Sequence, residues 1–276
     1  MSSADLYAKM VDASTQQRDE MTHGRDADRW GAIAARFRAD PHRVPEPVLQ
    51  AVLEYIAPRH IVLDVGGGAG RYALPIALRC RQVLNVEPSP GMGAAFEASA
   101  MEAGISNARW VCSGWNEVTG LSGEVSIAAH VTYFVRDILP FLERLASASR
   151  ERVVIVLAAT PPPNRIQHAF NVAHALEFAP VPGYQELLAV LWDMGILPDV
   201  RVLDYDDTLA PEPAWPTREQ AIDELLVNPL LSGALPRARE RVDARFDELF
   251  DGVPGAYQRR QTWDRRTLLI TWPTSQ

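Results

Sequence analysis

Ile61-Val-Leu-Asp-Val-Gly-Gly-Gly-Ala-Gly70 is the stretch that decides how the chain is read. Its first five residues are apolar apart from Asp64, a run suited to a strand covered on both faces. The glycines that follow give a tight turn, where backbone can approach a ligand with no Cβ in the way. A helix is expected next, and its first N–H groups and positive dipole end suit a carboxylate or phosphate. The spacing is Asp64-x-Gly66-x-Gly68-x-Gly70. A dinucleotide fingerprint wants Gly-x-Gly-x-x-Gly, and counted from Gly66 its third glycine would fall on Arg71. Glu87 ends the next strand, where an acidic side chain can accept both hydroxyls of a ribose.

Outward from this turn, strand-like and helix-like segments alternate. Ile61–Val65, Gln82–Val86, Ala108–Cys112, Val125–Ala129 and Arg152–Ala158 are short apolar runs with β-branched residues. Between them Arg71–Arg79, Pro90–Ala103 and Asp137–Ser149 are long enough for crossover helices, the last with Asp137 as cap. Such alternation builds a mainly parallel sheet. Residues 1–59 read as helical, with apolar residues of Trp30–Phe37 at helical spacing and a further helix begun near Pro47. After Pro161-Pro-Pro163 come helices near Arg165–Leu176 and Tyr184–Met194, then strands at Val200–Tyr205 and Thr267–Trp272. The stretch between those strands holds two expected helices, one capped by Thr217 with Gln220, the other at Arg237–Phe250. The expected division is a helical cap at 1–59, a nucleotide-binding domain at 60–205 and 267–276, and a helical insertion at 206–266 that serves as a substrate lid.

Composition narrows the function classes. The chain has 276 residues, 47% of them apolar and 22% charged, enough to bury a full core. Against 27 Lys+Arg stand 35 Asp+Glu, a net charge of −8 that repels phosphate backbones, so nucleic acid is not an expected partner. Cys80 and Cys112 belong to no metal or redox spacing and read as small buried hydrophobes. Asp5, Lys9 and Asp12 interrupt any signal-peptide core, and no apolar run approaches the ~20 residues of a membrane span. A cytoplasmic protein without a membrane partner is expected, its oligomeric state open.

Val62-Leu-Asp-Val-Gly-Gly-Gly-Ala-Gly70 followed by Val83-Leu-Asn-Val-Glu-Pro-Ser89 resembles motifs one and two of the class I S-adenosylmethionine-dependent methyltransferases. Trp110-Val-Cys-Ser-Gly-Trp115 sits where that family contacts adenine, and Val125–Asp137 resembles its fourth strand and substrate-side loop. The resemblance implies a doubly wound α/β sheet of seven strands in the order 3-2-1-4-5-7-6, the last antiparallel. It implies S-adenosylmethionine as cofactor, S-adenosylhomocysteine as product, and O- or N-methylation of a small or medium-sized organic acceptor. Gly66, Gly67, Gly68 and Gly70 would lie under the methionine part, with Asp64 reaching its ammonium group. Glu87 would hold the ribose, Pro88 and Ser89 would flank the adenine, and Gly114 and Trp115 would complete that side. The family often has an acidic residue near the adenine amino group, whereas this chain reads Ser113-Gly-Trp115, whose indole could stack on the base. Two other readings stand beside it: a non-catalytic S-adenosylmethionine-binding protein and an NAD(P)-dependent oxidoreductase.

On the acceptor side, His130 follows the fourth strand at the edge where open α/β sheets bind ligands. It could act as a general base, or hydrogen-bond backbone or a cofactor carboxylate without moving a proton. Tyr133 is a wall residue with a chance of polar chemistry, and Asp206 and Asp207 could anchor an amine. Trp30, Phe37, Phe170 and Trp192 are candidate walls or plain core. His23, His42 and His60 read as surface residues. His168 and His174 lack the i,i+4 spacing of a helical metal pair, and no metal site is expected.

Overall fold

The computed structural model describes residues 1–22, 28, 30–204, 213–232 and 237–274. The expected alternation is present. Strands β1 (Ile61–Val65), β2 (Gln82–Val86), β3 (Ala108–Val111), β4 (Gly123–Ala129), β5 (Ser149–Ala158), β6 (Asp199–Leu203) and β7 (Thr267–Pro273) form one sheet. Their order is β3-β2-β1-β4-β5-β7-β6. β7 runs antiparallel to both β5 and β6, and the remaining pairings are parallel.

Both faces of the sheet are covered, which is why its strands lack an alternating polar pattern. Successive side chains point to opposite faces. In β5, Val153, Ile155 and Leu157 enter one core while Val154 and Val156 enter the other. The first face is covered by α1 (Ser3–Thr22), α5 (Ile138–Ala148) and α7 (Tyr184–Asp193). The second carries α2 (Pro47–Leu53), α3 (Ala73–Ala77) and α4 (Pro90–Glu102). Each fully buried valine, leucine or isoleucine contributes about 1.5–3 kcal/mol relative to exposure.

A third core lies off the sheet. α6 (Gln167–His174) packs Phe170 and Ala173 against α8 (Arg218–Leu226), Leu231 and Val242 of the long insertion. His174 is buried there, 2.8 Å from the Leu230 carbonyl. The insertion also holds a small sheet of Ala214–Trp215, Tyr257–Arg259 and Phe250–Asp251, which the sequence did not predict. Strands of two or three residues carry no periodicity to read.

Several local expectations are corrected. Arg237–Phe250 is not one helix, since Arg237–Ala244 ends before Arg245, whose guanidinium turns to Glu248. Asp137 does not cap α5 through its side chain, being paired with Arg136 at 2.7 Å. Gly31–Phe37 is 3₁₀ rather than α-helical, as is Pro162–Ile166 ahead of α6. Cys112 is exposed rather than buried, because β3 stops at Val111. His60 is only 3% exposed, its Nδ1 accepting the Ala57 N–H at the closed end of β1. Phe170 is core, and Trp192, at 58% exposure, lines no interior wall. His23, Tyr205, Asp206 and Asp207 lie outside the described residues. Among the described residues, no helix is long and apolar enough to cross a membrane.

Candidate functional site

The carboxyl ends of β3, β2, β1 and β4 lie side by side, and their loops converge on the glycine turn. Gly66, Gly68 and Gly70 all have positive φ, at 69°, 54° and 88°. Two positions show why side chains are excluded. A Cβ on Gly66 would stand 2.6 Å from Val131 Cγ2 in the loop after β4. One on Gly67 would meet Asp64 Oδ2 at 2.4 Å and Asn85 Oδ1 at 2.5 Å. The turn therefore folds down over a pair of polar side chains. The helix behind it is shorter than its sequence suggested, because Arg71 and Tyr72 remain in the turn.

Asp64 and Asn85 are register partners on β1 and β2, and both are fully buried. The Asn85 amide donates to the Gly68 carbonyl at 3.0 Å, while its Oδ1 has no partner. Neither carboxyl oxygen of Asp64 has one either. Burial, with the Glu87 charge beside it, pushes the Asp64 carboxyl up to about 7. A buried carboxyl left without a donor is costly unless a cation or donor reaches it. Asn85 was not singled out from the sequence, although a lone amide inside the apolar run Val83-Leu-Asn-Val86 is the signal that marks it.

Glu87 grips the same turn from the end of β2. Its Oε2 accepts the Gly68 N–H at 3.1 Å and its Oε1 the Ser89 N–H at 2.8 Å. Burial raises its carboxyl above the ordinary value. From β3, the Trp110 indole N–H donates to the Glu87 carbonyl at 2.8 Å. Ser89 caps α4 by accepting the Met92 N–H at 3.1 Å. Its hydroxyl donates to Asp28 Oδ1 at 2.6 Å. Asp28, which no sequence pattern marked, also accepts the Gly31 and Gly91 N–H groups at 2.9 and 3.1 Å. These bonds hold its carboxyl below the usual range. The amino-terminal segment is thereby clasped to the start of α4.

Pro88 is exposed at this edge, and Gly114 lies half-buried in the turn after β3, its carbonyl accepting the Glu117 N–H at 3.0 Å. Trp115 is buried in the first core with its indole N–H 3.4 Å from the Phe141 carbonyl. Arg144 covers its ring at 5.2 Å, so the indole is enclosed by protein.

At the end of β4, His130 takes a left-handed backbone conformation, φ 60°, unusual for a residue with a side chain. Its N–H donates to the Val156 carbonyl at 2.8 Å. Its Nδ1 lies 3.2 Å from the Tyr133 hydroxyl, which accepts the Ala158 N–H at 2.6 Å. Burial, then the charges of Arg71 and Arg165, push the imidazole down to about 4. Tyr133 is almost fully buried and its phenol is pushed up. The next residues are tied to the amino-terminal helix, for the Tyr7 hydroxyl donates to the Thr132 carbonyl at 2.7 Å in the core. Trp30 packs edge-on against Phe134 at 5.6 Å, bringing the 3₁₀ segment over this loop.

No family model matches the chain, and a search of curated proteins finds no match. Solved structures do match. The YcgJ protein from Bacillus subtilis aligns over 83% of this chain and 98% of its own, with TM-score 0.54 and 14% identity. A protein from Bacillus halodurans named as a candidate methyltransferase aligns over the same shares, with TM-score 0.55 and 9% identity. At such identities the likeness is one of fold. With the observed strand order, the fold is the seven-stranded, Rossmann-like fold of class I methyltransferases.

Proposed function

We propose that the chain is an S-adenosylmethionine-dependent methyltransferase acting on a small or medium-sized organic acceptor at oxygen or nitrogen. The observation that carries this reading is Asp64, fully buried with two unpartnered oxygens directly beneath a glycine turn that a Cβ would fill. That arrangement fits a ligand bearing an ammonium group. Bound there, the cofactor supplies a methyl group on a sulfonium, a leaving group already activated, so the protein contributes alignment, desolvation and closure.

The residues divide the work. Asp64 holds the ammonium group, with Asn85 Oδ1 beside it. Gly66, Gly67, Gly68 and Gly70 admit the methionine part against bare backbone. Each Glu87 oxygen already takes one backbone N–H and keeps lone-pair capacity for a ribose hydroxyl. Pro88, Ser89 and Gly114 flank the adenine, whereas the enclosed Trp115 supports that wall from behind. His130 faces the acceptor, with the buried Tyr133 behind it. The insertion, whose described helices pack on α6 through the third core, serves as the lid over the acceptor space.

Calorimetry with S-adenosylhomocysteine and NAD tests the reading. Micromolar-range affinity for the first and none for the second is expected. Tight NAD binding with no heat from the sulfur compound overturns it. Transfer of label from methyl-labelled S-adenosylmethionine to an acceptor separates an enzyme from a protein that only binds the cofactor.

A further inference from the structure

The hydrogen bonds behind His130 decide which of its ring nitrogens carries the proton. The Ala158 N–H can only donate, so at 2.6 Å it takes a lone pair of Tyr133 Oη. The phenol keeps its own proton, and among the described residues the group placed to accept it is His130 Nδ1, 3.2 Å away, for a donating Nδ1 would leave that buried proton unpaired. A neutral imidazole that accepts at Nδ1 carries its hydrogen on Nε2. Burial and the guanidinium groups of Arg71 and Arg165 oppose a second proton on the ring. Nε2 makes no hydrogen bond among the described residues and is not among the enclosed polar atoms. The left-handed backbone and the His130 N–H to Val156 carbonyl bond fix where the ring starts. A strained conformation held by its surroundings is typical of a side chain that must be aimed.

We propose that Tyr133 is a positioning residue that locks His130 as its Nε2–H tautomer, so that His130 offers the acceptor a fixed hydrogen-bond donor and not a base. This role toward an acceptor rests on the methyltransferase reading, whereas the tautomer does not. It selects acceptors whose reacting atom has no proton to surrender to the protein, an ionised carboxylate being the chemistry that fits best. There the new O–CH₃ bond forms from a carboxylate electron pair, and the S–CH₃ pair returns to sulfur. The opposite charges cancel and no proton moves. Nε2–H then holds the carboxylate oxygen that does not react.

Nitrogen-15 NMR of the histidine-labelled full chain tests the proposal with neither cofactor nor acceptor present. Between pH 6 and 8, roughly the span of ordinary imidazole titration, His130 should show an unprotonated Nδ1 and a protonated Nε2. In Tyr133→Phe the two nitrogens should converge as both tautomers become populated. A proton on Nδ1 in the wild type overturns the proposal, as does titration of this ring near neutrality. An unchanged tautomer in folded Tyr133→Phe also overturns it. Should that variant fail to fold, 3-fluorotyrosine incorporation, which makes the phenol a stronger donor, should move the His130 Nδ1 resonance, and no movement refutes the link. A locked tautomer in a chain that transfers no methyl group would defeat the proposed function and leave the positioning intact.

Discussion

Asp64 is the site's least satisfied group, and its ionisation gives that cost a sign. The carboxyl is raised from 3.8 to about 7 in the fold. Below its ordinary value both folded and unfolded chains hold the proton, and the site costs nothing. As pH rises toward 7 the unfolded chain ionises first, so stability falls across that window and levels off above it. Asp64→Asn mimics the protonated form. It should raise the melting temperature of the ligand-free protein at pH 8, with the gap closing toward pH 4. His130, lowered from 6.5 to about 4, acts oppositely, losing stability as pH falls through that interval. Comparing variant with wild type at each pH cancels that contribution. A gap independent of pH would mean that Asp64 ionises normally. The same variant should weaken S-adenosylhomocysteine binding by about 1.5–3 kcal/mol, the scale of hydrogen bonds to a charged group. Glu87 behaves differently, because it satisfies the Gly68 and Ser89 N–H groups and so holds the fold in addition to its proposed ribose contact. Once an acceptor is in hand, His130→Gln, which keeps an N–H donor, should cost about tenfold or less. A loss of about 10²–10⁴ would mark a general base instead.

At the scale of elements, the clasp between Asp28 and the start of α4 lies beside Glu87, the residue proposed to hold the ribose. Gly91 packs so closely on this segment that a Cβ there would stand 2.4 Å from Gly31 Cα. Asp28→Ala removes the acceptor of three hydrogen bonds at once. Stopped-flow release of S-adenosylhomocysteine should accelerate by about tenfold, the equivalent of one net hydrogen bond of about 1.4 kcal/mol. The melting temperature should change little, since both sheet cores lie elsewhere and the small cluster of Ala34, Ala69, Met92 and Trp30 still packs the segment down. An unchanged release rate would make the segment a surface strap with no hold on the cofactor. Elements also show what the sequence could and could not disclose. β1 and β2 were read to the residue because β-branched runs between glycine and proline leave few alternatives. The glycine turn, Asp64 and Glu87 were legible because close backbone approach and a strand-end acid leave a local pattern. Asp28 was not, since its partners Ser89 and Gly91 are distant in sequence and only the fold brings them together. Tyr7 was hidden likewise, an aromatic in a polar helix whose hydroxyl proves to anchor the loop after β4. His60 read as a surface residue because its polar neighbours say nothing of the Ala57 turn that encloses it.

For the whole molecule, the separation of the two sheet cores from the large off-sheet core matters more than the sheet's familiar order. Two cores sandwich the sheet and are stabilised from both sides. The third joins α6 to the insertion and shares no residue with the others. Its position in the chain is telling. α6 follows on β5 and the Arg165 turn, and the insertion leaves after β6 and returns through β7, so the third core stands beside the proposed acceptor space while the glycine turn rests on the sheet. Phe170 stands at its centre, fully buried, with its ring 4.5 Å from His174 and 5.4 Å from Phe178. Phe170→Ala should cost about 3–5 kcal/mol, by lost burial and the cavity left behind. If the cores are separable units, hydrogen exchange should speed up in α6, α8 and Arg237–Ala244 while β1, β4 and β5 keep their protection. S-adenosylhomocysteine should still bind with near wild-type affinity, because Asp64, Glu87 and the glycine turn lie outside the affected unit. Equal loss of protection across the sheet would instead show one cooperative body, in which acceptor wall and cofactor cradle cannot be loosened separately.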